Sequence, residues 1–284
     1  MTLIGFKVAN ETIEWSRIRD LWKVADAGDA FDIGWNFDHV LPIRAELDEP
    51  CLESWTMLAA LAEATSRVRL GCMVGAAPYR APALLAKMAA TVDITSGGRL
   101  ELGLGAGWHV AEARAYNLHL PRSLGERFDV LDETLKIVIS LMTNDRTDFA
   151  GKHFTIKDAP FEPKGPQRPP PITIGGTGPT RTLRAVARFA DWWNLPGWEP
   201  AAYAESCDIL AAHCEAAGRD PSEIRRSTAV SVTEHSSVDQ IADEIGALIA
   251  AGIDQPIAYI QPPFHTAQLE RAAAAVAELG VDHL

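Results

Sequence analysis

The sequence contains no long hydrophobic run. None of its apolar stretches reaches the roughly 18 to 20 consecutive residues that a membrane-spanning helix needs, so no membrane segment is expected. The N-terminal sequence MTLIGFKVANETIEW also lacks a basic start, an apolar core and a small-residue cleavage site. We therefore expect no secretory signal, no membrane partner and a cytoplasmic location.

Positive charge and cysteine are both scarce. Lys and Arg number 26 against 38 Asp and Glu, and the net charge of −12 disfavours nucleic acid and acidic membranes as partners. An anionic cofactor remains compatible, because backbone amides and a few arginines can hold one phosphate. The four cysteines, Cys51, Cys72, Cys207 and Cys214, form no C-x-x-C pair and have no His pair at metal spacing beside them. We expect reduced thiols and no metal site.

Eight short apolar segments alternate with helical patterns along the chain. Continuous apolar runs suit parallel strands that are buried on both faces. Eight such units favour an α/β fold, a single (β/α)8 TIM barrel domain over 1–284, with an open doubly wound sheet as the alternative. The stretch 144–170, rich in Pro, Lys and Gly, is predicted to be an irregular insertion after the fourth unit that lies over one end of the barrel. The predicted strands are 3–8, 32–37, 68–74, 100–104, 171–174, 191–194, 227–232 and 256–260.

Local signals mark the starts of several helices. Ser123-x-x-Glu126 has the pattern of a capping box, in which the first side chain binds the third amide of the helix. Ser236-x-x-Asp239 is predicted to open a later helix in the same way, and the last helix is expected to begin near Thr266.

Asp38 and His39 directly follow the second predicted strand. In barrels of this kind the active site is built at the carboxyl ends of the strands. An imidazole at that position can donate or accept a proton near neutral pH, and the carboxylate can fix the loop. A purely structural pair that closes the turn is an equally open interpretation.

Alternating glycines follow the fourth predicted strand. Gly103, Gly105 and Gly107 precede Trp108, which stands where the dinucleotide motif G-x-G-x-x-G requires its last glycine. Glycines at a strand end would let a flat ligand approach the backbone, with Trp108 as a wall of the pocket. A tight turn with a core tryptophan is the alternative.

A second glycine-rich loop, Gly175-Gly176-Thr177-Gly178, follows the fifth predicted strand. Pro179 suits the first turn of the helix that comes next. The exposed amides of such a loop at a helix N-terminus make an anion site, and a flexible turn without a ligand is the alternative.

The remaining reactive side chains carry no recognisable motif. Cys72 has no base identifiable beside it, so we do not expect a nucleophile there. His109, like the other histidines apart from His39, has no spacing that marks a metal site or a triad and is treated as an ordinary polar residue.

These segments, in this order, resemble the luciferase-like monooxygenase superfamily, and within it the branch that uses the deazaflavin coenzyme F420. The resemblance covers most of the chain through Asn194 and is only a general pattern beyond it. The segments that carry it are Asp38-His39, YRAPALLAKMAATVDITSGGRLELGLGAGW at 79–108, Glu126-Arg127, GKHFTI from Gly151, and PPPITIGGTGPTRTLRAVARFADWWN at 169–194.

The resemblance implies a barrel with an insertion, commonly a homodimer, and a cofactor ring at the C-terminal mouth. Asp38 would contact the cofactor and belong with His39 to the catalytic residues, and His39 would donate or accept a proton at the reacting carbon. A bulge at Met73–Val74, with a non-proline cis peptide, would back the ring. The cofactor-binding residues implied are Asp38, Met73, Val74, Gly75 and Ala76, then Ala106, Gly107 and Trp108 beside the ring, and Gly175, Gly176, Thr177 and Gly178 at its ribityl or phosphate portion.

One departure from the pattern of this family narrows the range of expected substrates. The related sugar-phosphate dehydrogenases carry an acid where this chain has Trp108, so their substrate chemistry is not expected here. A mouth lined by Trp108, Trp193 and Leu195 would favour a small and partly apolar substrate, with Trp108 among the residues at the reaction centre.

The leading prediction is an oxidoreductase that transfers a hydride between F420 and a small organic substrate. An FMN-dependent monooxygenase on the same barrel is one alternative, and a non-catalytic carrier of flavin or deazaflavin is another. A metal hydrolase is disfavoured, because no strand ends in an H-x-H or carboxylate-rich pattern.

Overall fold

Eight parallel strand positions form a closed ring at the centre of the molecule. The computed structural model describes residues 2–280. The barrel strands are β1 (Gly5–Val8), β2 (Ile33–Asn36), β3 (Arg69–Cys72) with its short continuation β4 (Gly75–Ala76), β5 (Leu100–Gly105), β8 (Ile172–Gly175), β9 (Trp192–Leu195), β10 (Arg225–Val232) and β11 (Gln255–Ile260). Along the ring they run in the order β3-β2-β1-β11-β10-β9-β8-β5, and β3 pairs with β5 to close it. The predicted (β/α)8 barrel is confirmed, and the open-sheet alternative is wrong.

Helices surround the barrel. Among the described residues, no helix is long and apolar enough to cross a membrane. The helices are α1 (Trp15–Ala27), α2 (Ser54–Ala64), α3 (Pro82–Thr95), α4 (Val110–Ala115), α5 (Leu124–Thr143), α6 (Thr182–Phe189), α7 (Pro200–Ala217), α8 (Val238–Ala250) and α9 (Thr266–Glu278).

Two of the predicted helix starts are confirmed and two are wrong. The Ser123 hydroxyl accepts a hydrogen bond from the Glu126 amide at the start of α5, and α9 begins at Thr266 as expected. In contrast, α8 is capped by Ser237, one residue later than predicted, because Gln240 completes the reciprocal bonds of the capping box. The chain turns after the second glycine loop and enters α6 only at Thr182, not near Pro179.

The insertion is more regular than predicted. Residues 146–160 form an antiparallel hairpin of β6 (Arg146–Ala150) and β7 (Thr155–Pro160). The Glu133 carboxylate of α5 accepts the amides of Lys152, His153 and Phe154 in the hairpin turn. Farther along, the Gln167 side chain donates to the carbonyl of Leu100, at the N-terminal end of β5. The insertion therefore lies along α5 and reaches the N-terminal end of the barrel, away from the strand ends that carry the predicted site.

Two hydrophobic layers lie on opposite sides of the strands. The larger layer fills the space between the strands and the helices. A smaller cluster fills the barrel interior and consists of Leu3, Ile33, Trp35, Met73, Trp192 and Ile257. Glycines make room for large side chains in both layers. A Cβ on Gly34 would lie 2.5 Å from the Trp22 ring, and one on Gly71 would lie 2.5 Å from the Trp35 ring. This packing closes the barrel below and leaves its C-terminal mouth open.

Candidate active site

A cavity of about 650 Å³ opens at the C-terminal mouth of the barrel. It is larger than two other depressions, which have volumes of about 410 and 440 Å³. A volume of this size is typical of small-molecule and cofactor pockets. The cavity is lined by nine of the residues predicted to form the site: Asp38, His39, Met73, Val74, Gly75, Ala76, Ala106, Gly107 and Trp108. Gly175 and Gly176 also line it, whereas Thr177 and Gly178 lie outside the lining and are exposed.

The floor of the cavity is a bulge between β3 and β4. The peptide bond between Met73 and Val74 is cis, at the position where the resemblance suggested it. A Cβ on Gly105 would lie 2.9 Å from a Val74 methyl group, and one on Gly175 would lie 3.1 Å from the same group. A Cβ on Gly103 would collide with the Cys72 carbonyl oxygen. These glycines therefore make room for the bulge.

The alternating glycines serve both the packing and the cavity. We expected Gly103, Gly105 and Gly107 to let a flat ligand approach the strand backbone itself. Gly105 and Gly107 line the cavity, whereas the space beside Gly103 is taken by the Cys72 carbonyl, so the expectation is wrong for Gly103 alone. Gly107 has a φ of 76°, and a Cβ there would meet Leu120 at 2.9 Å. The Val74 side chain, seated on the glycines, forms the surface on which a ligand would rest.

Asp38 holds the bulge in place. Its carboxylate accepts two bonds from the Arg80 guanidinium, at 2.6 and 2.9 Å, and one from the Ala76 amide at 3.0 Å. Arg80 is held in turn by Glu53 at 2.7 Å. Because the Asp38 side chain is 1% exposed and satisfied by protein donors, its geometry supports a positioning role. Asp38 also lines the cavity, and its direct contact with a cofactor stays a prediction.

His39 is held by a carboxylate that the sequence analysis did not identify. Its Nδ1 lies 3.0 Å from Oε2 of Glu112, which is buried in α4. A carboxylate only accepts hydrogen bonds when ionised, so this contact assigns the proton to Nδ1. The other ring nitrogen, Nε2, is then the atom available for proton exchange at the cavity.

Glu112 collects several donors around one carboxylate. Oε1 accepts the amides of Val40 and Leu41 at 2.5 and 3.0 Å, and Oε2 accepts the Tyr79 hydroxyl at 2.9 Å in addition to His39. Burial by itself raises the pKa of Glu112, but the hydrogen bonds from His39 and from the Val40 and Leu41 amides outweigh it, and the pKa is lowered. The ionised carboxylate thus fixes both the loop after β2 and the imidazole.

His109 lies closer to the site than expected. Its ring centroid is 5.7 Å from that of His39 and 4.8 Å from that of Trp108. Potential ligand atoms of His39, His109 and Glu112 all lie within 4.8 Å of one another, so the treatment of His109 as an ordinary polar residue is corrected. The His109 Nδ1 accepts the Glu112 amide at 3.1 Å, and the Glu112 carboxylate is already surrounded by donors, an environment that favours hydrogen bonding over metal ligation.

The three apolar residues expected at the mouth lie in different environments. Trp108 is 62% exposed and stands at the rim, with its ring 5.4 Å from the His39 ring. Leu195 lines the cavity. Trp193 is fully buried in the outer layer, where it stacks on Tyr203 and donates to the Gly176 carbonyl at 2.8 Å. Its expected place in the mouth is wrong, because alternate residues of a strand point to opposite faces.

Lys7, Arg44 and Tyr259 also line the cavity, and the sequence analysis identified none of them. Lys7 follows Phe6 in β1 and pairs in register with Tyr259 of β11, which places both at one level of the barrel. A lysine within an apolar strand, GFKV, was the signal available in the sequence. Arg44 lies in the irregular segment after β2, where no local sequence pattern predicts the placement of a side chain.

Comparisons of the sequence with known proteins agree on one protein family. A family model described as luciferase-like monooxygenase matches residues 1–283. The pyrimidine monooxygenase RutA of Stutzerimonas stutzeri is 32% identical over 198 residues, covering 66% of this chain and 54% of that protein. An F420-dependent glucose-6-phosphate dehydrogenase of Amycolatopsis mediterranei is 32% identical over 194 residues, covering 67% and 55%. The chain thus spans about half the length of these curated relatives.

Solved structures with the same fold extend over the whole chain. An F420-dependent secondary alcohol dehydrogenase, solved with an F420–acetone adduct, superposes with a TM-score of 0.88 over 98% of this chain and 99% of that one, at 18% identity. A coenzyme F420-dependent tetrahydromethanopterin reductase from Methanopyrus kandleri superposes with a TM-score of 0.81 at 16% identity. At these identities the likeness describes the fold.

Proposed function

The chain belongs to the luciferase-like monooxygenase family, and we propose that it is an oxidoreductase that transfers a hydride between the deazaflavin F420 and a small organic substrate. The observation that carries the proposal is His39, oriented by a buried carboxylate, on the wall of a cavity whose floor is the Val74 bulge. Relatives that use F420 and relatives named as monooxygenases both occur, so the choice of cofactor is part of the proposal.

The residues present fit a flavin-type cofactor. Val74 fills the space left by the missing side chains of Gly105 and Gly175, which gives a smooth apolar surface suited to a planar ring. The exposed loop at Thr177 and Gly178 precedes α6, and its amides suit a phosphate that extends from the cavity. When bound, a deazaflavin would supply hydride transfer, and FMN would supply oxygen activation.

In this proposal the protein moves one proton and orients the reactants. Glu112 keeps the Nδ1 proton on the imidazole, so Nε2 of His39 accepts a proton when the substrate is oxidised and returns it when the substrate is reduced. Asp38 and Arg80 hold the bulge and thereby position the ring surface. Trp108 at the rim limits the access of water and favours a partly apolar substrate.

Two alternatives lead to different measurements. An FMN-dependent monooxygenase, favoured by the likeness to the pyrimidine monooxygenase, predicts tighter binding of FMN than of F420 and consumption of oxygen. A non-catalytic carrier predicts cofactor binding that does not depend on His39 and no turnover. Fluorescence titration of the purified protein with F420 and FMN separates the first alternative from the proposal.

The decisive variant is His39→Ala, with His119→Ala as the matched control on the surface. We expect His39→Ala to keep cofactor affinity within a few-fold and to lose about 10²- to 10⁴-fold in turnover. The assay follows F420 absorbance with a panel of alcohols, ketones and unsaturated carbonyl compounds. Unchanged turnover of His39→Ala on the substrates that the wild type uses would contradict the assigned role.

Assembly and location remain predictions. A homodimer and a cytoplasmic location are proposed from the resemblance and from the composition, with no nucleic-acid or membrane partner. Light scattering at several protein concentrations would test the dimer, and a constant monomer mass would contradict it.

A further inference from the structure

Two cations, Lys7 and Arg44, lie on one wall of the cavity. Among residues 2–280, neither Lys7 nor Arg44 has a carboxylate oxygen within 4.0 Å of its charged nitrogens. The Lys7 amine donates to the Met73 carbonyl at 3.4 Å, and Arg44 donates to Oε1 of Gln261 at 3.0 Å. Both side chains also lie over the Tyr259 ring, whose centroid is 4.9 Å from the Lys7 amine and 4.8 Å from the Arg44 guanidinium carbon.

The nearby carboxylates are engaged elsewhere. Glu11 is buried, and its Oε2 accepts the amides of Ile43 and Arg44 at 2.5 and 3.4 Å. Asp38 is occupied by both nitrogens of Arg80. Neither acid therefore forms an ion pair with Lys7 or Arg44, although the charge of Glu11 still favours the protonated form of Lys7 from a longer distance.

A half-buried lysine without a counter-ion is costly to the fold. Burial lowers the pKa of Lys7 to about 8, and the charge of Arg44 acts in the same direction, while Cys72 and Glu11 oppose it. Buried charges are normally paired, and an unpaired ionisable group in a cavity is a candidate for ligand binding. A cation–π contact with Tyr259 recovers part of the lost hydration but leaves room for an anion.

The strands that carry this wall lie opposite the cofactor elements, although the Lys7 amine reaches the Met73 carbonyl at the edge of the bulge. Lys7 and Tyr259 belong to the adjacent strands β1 and β11. The glycine-rich ends of β5 and β8 lie on the opposite side of the ring of strands. A cofactor ring on the Val74 bulge with its phosphate near the β8 loop leaves the β1–β11 wall for the substrate.

From this arrangement we propose that Lys7 and Arg44 form an anion subsite that binds the carboxylate of a small substrate. The proposal rests on the proposed function, since it assigns the substrate end of the same cavity. Lys7 holds the carboxylate from inside the barrel and Arg44 holds it from the rim, with Tyr259 between them as an apolar side wall. The apolar part of the substrate then extends toward His39 and Trp108, which line the same cavity.

The test compares carboxylates with neutral amides of the same shape. Benzoate and hexanoate, against benzamide and hexanamide, are titrated by calorimetry into the full chain at pH 7, without cofactor and with saturating F420 or FMN. We expect the carboxylates to bind at least about tenfold more tightly than the amides, a difference of about 1.4 kcal/mol by the affinity relation. Lys7→Met should abolish this preference, and Lys23→Met, an exposed lysine of α1, should preserve it.

A second variant keeps the test independent of the folding of Lys7→Met. Arg44→Gln changes an exposed residue and should reduce the carboxylate preference several-fold. Equal binding of carboxylates and amides, or a preference that survives both variants, would overturn the subsite. A loss of F420 or FMN affinity in Lys7→Met with unchanged carboxylate binding would assign Lys7 to the cofactor and also overturn it.

These measurements can distinguish a failure of the proposed subsite from a failure of the proposed function. A Lys7-dependent carboxylate preference in a chain that binds neither F420 nor FMN would support the subsite and contradict the proposed oxidoreductase. Turnover that depends on His39 without any carboxylate preference would support the oxidoreductase and contradict the subsite.

Discussion

The two ends of the barrel interior hold charged side chains in opposite ways. At the N-terminal ends of the strands, Nε of Arg69 donates to Oε1 of Glu101 at 2.5 Å, and the same guanidinium reaches Oε1 of Gln167 at 2.9 Å. At the C-terminal mouth, Lys7 and Arg44 meet an aromatic ring and neutral acceptors. The closed end holds its charges in an ion pair, whereas neither cation at the open end has an ion-pair partner among residues 2–280.

Both ends nevertheless hold a group whose neutral form the fold favours. Burial raises the pKa of Glu101 to about 7, even though Arg69 acts in the opposite direction. Burial lowers the pKa of Lys7 to about 8. An ion pair thus reduces the cost of a buried charge without removing it, whereas the charge of Lys7 is eased by the more distant Glu11 and by the Tyr259 ring.

The largest expected effect is at the mouth. In Glu112→Gln the amide group would face Nδ1 of His39 and favour the tautomer with the proton on Nε2, the wrong atom for proton acceptance. We expect turnover to fall about 10²- to 10⁴-fold, the range typical of general acid–base catalysis, while cofactor affinity changes little. Steady-state assays with the exposed Glu63→Gln as control check this, and full activity of Glu112→Gln would remove Glu112 from the mechanism.

The next effect is at the closed end. Arg69→Met leaves Glu101 without its partner, and we expect the free energy of unfolding at pH 8 to fall by about 3 kcal/mol, as for other broken buried pairs. Arg19→Met, in an exposed pair with Asp20, should cost less than about 1 kcal/mol. Urea unfolding of the three proteins measures the difference, and equal losses would mean that the closed end does not depend on charge balance.

The pH dependence of this effect has a definite sign. The pKa of Glu101 is raised above its ordinary value of 4.5, so the folded state binds more protons than the unfolded state between pH 4.5 and about 7. Its contribution to stability is full below pH 4.5 and is lost as the pH rises through about 7. The cost of Arg69→Met should therefore be smaller at pH 5 than at pH 8, and a constant cost would contradict the assignment.

A smaller effect of opposite sign is expected for Lys7→Met. Below about pH 8 both folded and unfolded chains carry the charge, and the folded chain bears the full cost of burying it. We expect the variant to be more stable than the wild type by about 1–2 kcal/mol at pH 7, with the gain fading between pH 8 and 10.5. Urea unfolding at pH 7 and pH 10, with Lys23→Met as control, checks this, and a destabilised variant would show that Lys7 serves the fold.

The smallest effect on stability is expected at the rim. Because Trp108 is 62% exposed, Trp108→Ala should change the free energy of unfolding by less than about 1 kcal/mol. If the exposed ring contacts an apolar substrate, the same change should reduce the affinity for apolar substrates several-fold more than the affinity for polar ones. Equal losses for both classes would leave Trp108 without a part in selectivity.

Much of the fold could be predicted from local patterns. The eight strand segments were placed within about two residues of their observed positions, because continuous apolar runs between helical patterns are local features. The hairpin at residues 146–160 was missed, since its strands are short and largely exposed and show little apolar alternation. Trp193 was assigned to the wrong face for a related reason, as a strand buried on both sides gives no alternation to read.

The amino-acid sequence by itself determined the barrel, the strand ends at which His39 and the glycine loops stand, and the family. Only the tertiary structure decided that Glu112 orients His39 across 73 residues, and that Lys7 and Arg44 meet over Tyr259. The physical reason is that strand and helix patterns arise within a few residues, whereas partners from different strand ends are brought together by closure and register of the barrel. That Lys7 and Arg44 have no ion-pair partner among the described residues can therefore be recognised only from the folded barrel.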